Sequence, residues 1–429
     1  MDKIVINGGK PLYGSIEISG MKNSALPILF GTILAADKCV IENLPPIKDV
    51  TIALRILKEM GAEVKMLDST TVEIDTSHIV CGSAPYEMAR NMRGSYYIAG
   101  AELGRFGRSK VALPGGCDFG SRPIDQHLKG FEALGARSNI DNGYLMLETD
   151  NALHGDSVYL DVVSVGATIN IILAAVLAEG TTIIDNAAKE PHIVDLANFL
   201  NACGANISGA GTNVIHIKGV SHLHGVTYAI IPDMIEAGTY MVAAAAAGGN
   251  VTVTNVIPKH LESITAKLVE MGVDVIENDD SIVVARSGPL SKVNVKTMPY
   301  PGFPTDMNPQ MCVLLCLAEG TSTLKEGVWE NRFRYTKELA CFGAEIQVDQ
   351  RIAIVEGKGQ LTGAEVKAVD LRAGAAMVIA GLAASGTTVV GDIHHIERGY
   401  EKIVEKLRAV GADISKITVS DDDSTALVG

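Results

Sequence analysis

The stretch ATINIILAAVLAEG (residues 167–180) decides the fold, because it is apolar on nearly every side of a helix. A helix without a polar face has to be buried all round. SALPILFGTILA (24–35), AGTYMVAAAAAGG (237–249) and AGAAMVIAGLAASG (373–386) have the same character. Alternating strands follow, as in GTTIIDNA (180–187), NVTVTNVI (250–257) and GTTVVGDI (386–393). A second kind of helix comes next, as in VTIALRILKEMG (50–61) and YEKIVEKLRAVG (400–411), with apolar residues on one face only.

These amphipathic helices end on glycine. EMGAEV, ALGARS, ACGANI, EMGVDV, CFGAEI and AVGADI place Gly61, Gly135, Gly204, Gly272, Gly343 and Gly411 at spacings of 68 to 74 residues. Glycine there suits the left-handed cap of a helix that runs on into a strand. The chain therefore reads as six copies of strand, buried helix, strand, amphipathic helix and further strands. The fold class is α/β, with apolar helices inside and sheet outside, an inside-out α/β barrel. Six units are too much for one core, so they group as two domains of three. LYGSIEISG (12–20) resembles LHGVTYAII (223–231), which opens the second half, and this assigns the N-terminal strand to that half. The expected domains are residues 21–229, and residues 1–20 with 230–429.

Hydrophobic residues make up 47% of the 429 residues and charged residues 20%, with a mean hydropathy of +0.22, a core-rich composition. A net charge of −14 argues against a general binder of nucleic acid or anionic membrane. A repeat clamp around nucleic acid would need basic inner helices, and these are apolar. MDKIVINGGKPLYGS has no signal-peptide h-region, and the longest apolar runs fall short of a membrane span. Seven cysteines without paired spacing point to a reducing compartment, so the expected location is cytoplasmic.

Polar residues gather where a strand meets a buried helix. L-x-G turns (Leu12–Gly14, Leu153–Gly155, Leu223–Gly225, Leu361–Gly363) start several of those strands. The junctions carry Lys22-Asn23, Arg93, Ser164-Val165-Gly166, Asp233, Asp306, and Asp370 with Arg372. Asp233 reads as a helix N-cap. A helix N-terminus offers about half a positive charge and free N–H groups. It disfavours a further cation, so the Lys and Arg members point to an anionic ligand in a locally positive cleft. LPGGCDFGSRP (113–123) adds a cysteine between glycine turns, with Arg122 five residues on, the setting of a reactive thiol on a loop.

MKNSALP (21–27), LPGGCDFGSRPIDQH (113–127), VSVGAT (163–168), FPTDM (303–307), ENRF (330–333), DLRA (370–373) and ERGYE (397–401) occur in this order along the chain. Together they resemble the UDP-N-acetylglucosamine 1-carboxyvinyltransferases, a family of enolpyruvyl transferases. The resemblance implies the two-domain inside-out barrel. It also implies transfer of enolpyruvate from phosphoenolpyruvate to the sugar 3-hydroxyl of UDP-N-acetylglucosamine, the first committed step of peptidoglycan precursor synthesis. Phosphate is released, and neither a metal nor an organic cofactor is expected. The implied partners are these two small molecules, with no nucleic acid and no membrane.

By the same resemblance Lys22, Asn23, Arg122, Arg372 and Arg398 bind phosphoenolpyruvate. Cys117 is the proton donor to its C3 and the thiol that fosfomycin alkylates. Arg122 and bound phosphate would move the thiol pKa in opposite directions. Arg93, Arg122, Pro123, Ile124, Asp125, Gln126, Ser164, Val165, Gly166, Asp306 and Val328 contact the nucleotide sugar. Either Asp306 or Asp370 is the base for the sugar hydroxyl. Many relatives carry a lysine where this chain has Val162, so one positive contact to the diphosphate is absent; leucine is common where Gln126 stands.

The sister reaction on shikimate 3-phosphate is the alternative; it has no use for the cysteine loop or the RPIDQ block. A thiol hydrolase would need a histidine beside Cys117, and no motif places one. His394 and His395 are expected to diverge in a strand. His127 is expected near ligand, as a structural hydrogen-bonder.

Overall fold

The computed structural model describes residues 2–113 and 124–418. They form two compact units, one made of the described residues of 20–231, the other of 2–19 and 232–418.

In the unit of residues 20–231, the helices Lys22–Ala35, Tyr97–Phe106 and Val165–Ala175 pack against one another. Ser24 through Ala35 are all buried, as are Ala167 through Ala175. Buried polar residues on them are Ser24, Thr32, Glu102, Thr168 and Asn170, and close approach explains the last. Asn170 Oδ1 accepts the Gly100 N–H at 2.9 Å, and a Cβ on Gly100 would lie 2.4 Å from the Asn170 carbonyl oxygen. Three sheets accompany these helices among the described residues. In one, Lys38–Glu42 pairs antiparallel with Val72–Asp75 and parallel with Thr227–Ala229. In another, Thr181–Asp185 pairs antiparallel with Val214–Lys218 and parallel with Ser157–Tyr159.

The other unit repeats the plan. Its buried helices are Met234–Ala247, Asn308–Leu317 and Leu371–Ala383, again packed on each other. All ten residues of Asn308–Leu317 are buried. Leu12–Glu17 lies parallel to Gly249–Thr254, and Asp2–Asn7 sits between Thr387–Gly391 and Asp413–Thr418, antiparallel to both. Leu290–Ser291 runs parallel to Ala318–Lys325, and Glu365–Lys367 to Thr387–Gly391.

The parallel edge strand accounts for the L-x-G turns. A Cβ on Gly225 would lie 1.8 Å from the Lys38 carbonyl oxygen, and one on Gly363 2.3 Å from that of Thr387. Only glycine lets the two backbones come this close. The six helix-ending glycines all have positive φ, from 85° at Gly343 to 106° at Gly61. After Lys48–Glu59, the Gly61 N–H donates to the Lys58 carbonyl at 3.1 Å and the Ala62 N–H to that of Leu57 at 2.9 Å. The orphan carbonyls at the helix end are thereby satisfied.

Two expectations fail. The sheet of Arg108–Ala112, Tyr144–Glu148 and Arg137–Asp141 is wholly antiparallel, with no opening parallel strand among the described residues. This sheet departs from the expected repeat. His394 and His395 lie on the 3₁₀ turn Ile393–Arg398, beyond the strand Thr387–Gly391, and their rings are 4.1 Å apart instead of diverging. Among the described residues no helix is long and apolar enough to cross a membrane.

Candidate active site

Lys22 is the first residue of its buried helix, where Met21 supplies no side-chain cap. Its ammonium lies 2.5 Å from the carboxylate of Asp49, in the first turn of Lys48–Glu59. Asp49 is almost fully buried and Lys22 largely so. The carboxylate offsets part of the unfavourable placement of a cation at a helix N-terminus. Sequence reading missed Asp49, since an acid in a first turn looks like any other. Asn23 follows Lys22 in the same turn.

Arg93 opens the 3₁₀ turn Arg93–Tyr96 and is exposed. The Tyr96 ring meets His127 edge-on at 5.2 Å, and a Cβ on Gly166 would come within 2.8 Å of His127 Nε2. This histidine brings the Arg93 turn and the Ser164–Gly166 turn together. Ser164 caps Val165–Ala175 by accepting the Ala167 N–H at 3.3 Å. Ile124 and Asp125 begin the helix Asp125–Ala133. Buried Gln126 accepts the Asp161 N–H at 2.8 Å and donates to the Asp125 carboxylate at 2.8 Å. Its side chain thus ties the helix start to the segment carrying exposed Val162. Lys129 places its ammonium 2.9 Å from Asp161, the neighbour of that valine.

Half-buried His127 has an unpaired Nδ1 among the described residues, so hydrogen bonding there is not what holds it. Burial first, and Arg93 second, push its pKa from 6.5 to about 4 against the pull of Asp125. The fold thus accepts the neutral ring, while the unfolded chain takes up a proton below about pH 6.5. Its contribution is complete above pH 6.5 and is lost as pH falls towards 4, by about 3 kcal/mol in all. Unfolding equilibria at pH 7.5 and 4.5 measure this: wild type will lose more stability than His127→Asn across that interval. Equal losses would remove His127 from the acid response.

In the other unit, Asp306 sits on the 3₁₀ turn Thr305–Met307, just before Asn308–Leu317. Arg372, on the first turn of Leu371–Ala383, grips the Asp306 Oδ2 with both Nε and Nη2 at 3.1 Å. The guanidinium is 95% buried at side-chain level and stands 5.3 Å from the Tyr400 ring centre. Burial opposes its charge, but Tyr400, Asp306 and Asp233 outweigh that, so it stays charged. Its Nη1 is buried with no hydrogen-bond partner among the described residues. Such an orphaned donor is what a ligand oxygen would satisfy. The Tyr400 hydroxyl is fixed by Thr239 at 2.9 Å and Gln310 at 3.3 Å.

Asp370 uses Oδ1 to cap the Arg372 helix, accepting N–H groups of Arg372 at 2.8 Å and Ala373 at 2.9 Å. Asp233 caps Met234–Ala247 in the same way. Arg398 ends the turn Ile393–Arg398, half-buried. Val328 lies past the strand Ala318–Lys325, and its N–H donates to Glu326 at 2.8 Å. Cys117, Arg122 and Pro123 lie outside the described residues. Of the other cysteines, Cys39, Cys203, Cys312 and Cys316 are buried, and burial with Glu102 nearby pushes the Cys81 thiol up to about 11. Among the described residues no group of three or more His, Cys, Asp or Glu side chains forms a metal site.

The family model described as EPSP synthase (3-phosphoshikimate 1-carboxyvinyltransferase) matches residues 6–407, which sets the class as carboxyvinyl transferases. A UDP-N-acetylglucosamine 1-carboxyvinyltransferase of Clostridium botulinum is 56% identical over 97% of this chain and 100% of its own length. A protein named UDP-N-acetylglucosamine 1-carboxyvinyltransferase 3, of Caldanaerobacter subterraneus, is 57% identical with the same coverage. The chain belongs to the UDP-N-acetylglucosamine 1-carboxyvinyltransferase family. Among solved structures, the enolpyruvyl transferase NikO from Streptomyces tendae is similar with a TM-score of 0.88 and 27% identity, covering 98% of this chain and 99% of that one. EPSP synthase from Acinetobacter baumannii, at 20% identity and a TM-score of 0.77 over 97% of this chain and 100% of its own, shares the mixed α/β fold.

Proposed function

We propose that this chain transfers the enolpyruvyl group of phosphoenolpyruvate to the 3-hydroxyl of UDP-N-acetylglucosamine, releasing phosphate. The carrying observation is the match of more than half of all positions, end to end, to proteins named for that reaction. Two domains of three repeats each, as inside-out barrels, belong to the same proposal. Three mutually packed buried helices in each unit support it. The reaction stands at the head of peptidoglycan precursor synthesis, and its two metabolites place it in the cytoplasm.

The chemistry is addition followed by elimination. Asp306 takes the proton of the 3-hydroxyl as that oxygen bonds to C2 of the enol, and Cys117 gives a proton to C3. The Cys117 thiolate then takes a proton back from C3 as the bond from C2 to the phosphate oxygen breaks and phosphate leaves with the bonding pair. Asp306 is the base of this proposal, with Asp370 the other candidate; each has one oxygen taken by two N–H donors. Lys22, Arg122 and Arg398 hold the carboxylate and phosphate of phosphoenolpyruvate, with Asn23 positioning it; arginine forks suit two oxygens and Lys22 acts as a point charge. Arg372 orients Asp306 and offers its remaining N–H groups to the same anion. Arg93, Pro123, Ile124, Asp125, Gln126, Ser164, Val165, Gly166 and Val328 hold the nucleotide sugar, with Lys129 placed to supply charge near Val162.

Phosphate release from phosphoenolpyruvate is the test, with UDP-N-acetylglucosamine or shikimate 3-phosphate as acceptor. Release is expected with the nucleotide sugar and not with the shikimate compound. Release with shikimate 3-phosphate alone would reverse the assignment.

A further inference from the structure

Glu326 is buried to 1% exposure at the end of the strand Ala318–Lys325, and its carboxylate accepts five donors. Oε1 takes the Thr297 hydroxyl at 2.7 Å and the backbone N–H groups of Val328 at 2.8 Å and Trp329 at 3.2 Å. Oε2 takes the Thr305 hydroxyl at 3.0 Å and the Asn308 amide at 2.9 Å. The two oxygens therefore serve different segments. One clamps the turn that carries Val328. The other clamps the turn and helix start on either side of Asp306.

A buried carboxylate costs heavily unless its acceptor sites are filled, and ionised acceptors make the strong hydrogen bonds. A neutral amide has one acceptor oxygen and could not take all five donors. The Val328 N–H is spent on Glu326, so this residue is left with its carbonyl and side chain to offer a ligand. Asn308 is locked further by the Tyr335 hydroxyl, which donates to its Oδ1 at 2.6 Å.

We propose that Glu326 is a positioning residue that fixes the distance between the Val328 contact to the nucleotide sugar and the Asp306 base. This rests on the proposed reaction. The base must meet a hydroxyl of a sugar held partly by Val328, and one carboxylate spans both segments. Misplacement by about 1 Å can cost 10²-fold in rate without touching the reacting groups.

Glu326→Gln separates the two halves. Its amide oxygen will stay with the two immovable backbone N–H groups, which turns the new NH₂ towards Thr305 and Asn308. The Val328 side is kept and the Asp306 side is loosened. Calorimetry with UDP-N-acetylglucosamine alone will then give a Kd within about threefold of wild type, while kcat for phosphate release falls about 10-fold or more. A kcat equal to wild type overturns the proposal. So does a parallel loss of binding, turnover and melting temperature, which marks a merely structural role. If this variant does not fold, Thr305→Val removes only the hydroxyl joining Glu326 to the Asp306 turn. A kcat lowered about 3- to 10-fold with sugar binding intact supports the role, and restoration by Thr305→Ser strengthens it; undiminished turnover overturns it. A wild-type chain that releases no phosphate from the two substrates fails the underlying reading, which is a different result from an active wild type with an equally active Glu326→Gln.

Discussion

Asp306→Asn will lower kcat by about 10²- to 10⁴-fold while leaving the fold intact, the usual measure of a lost general base. Both Arg372 donors grip a single Asp306 oxygen. Asparagine can present its amide oxygen to that fork and keep the local geometry. What it cannot do is accept the sugar proton. Steady-state phosphate release with a parallel thermal melt checks this. If the variant keeps kcat within about threefold, the base is another group, with Asp370 next in line. Asp370→Ala would read differently, since loss of its double cap on the Arg372 helix costs about 1 kcal/mol of stability alongside any rate effect.

Lys22→Met will be damaging in two separable ways. Removing the ammonium leaves nearly buried Asp49 without its 2.5 Å partner, and breaking such a pair costs about 3 kcal/mol or more. Loss of the cation will also lower kcat/KM for phosphoenolpyruvate by roughly 10²- to 10³-fold. The double variant Lys22→Met with Asp49→Asn divides the two. Thermal stability will recover and activity will not. Recovery of both would show that Lys22 is there for Asp49 alone, and that the donor anion is held by other cations.

What could be read from the sequence was local or repetitive. The apolar helices declare themselves because burial on every side leaves few polar residues in them, and Asn170 in INII is answered by the Gly100 N–H. The helix-ending glycines are legible because a left-handed cap leaves few alternatives, and all six take it. The similarity of LYGSIEISG to LHGVTYAII is legible because each supplies a parallel edge strand. That the sheet of Arg108–Ala112 has no parallel edge strand among the described residues was hidden, since a regular period invites the assumption that every copy is whole. Partners brought from afar were hidden too. Nothing near Lys22 announces Asp49, nothing near Arg372 announces Tyr400, and the five donors on Glu326 come from three separate segments. Candidate ligand-facing residues could be named from motifs, whereas the side chains that hold them in place follow only from the path of the chain.

The N-terminal strand Asp2–Asn7 lies between two strands from the far end of the chain, Thr387–Gly391 and Asp413–Thr418. During translation this strand therefore has no partner until Thr387–Gly391 and Asp413–Thr418 have been made. At about 5 to 20 residues per second, it waits tens of seconds, while the described strands and helices of residues 20–231 have all been made. The order of synthesis thus makes one unit early and the other late, and the leading strand spends the interval as an open edge in need of protection from neighbouring nascent chains.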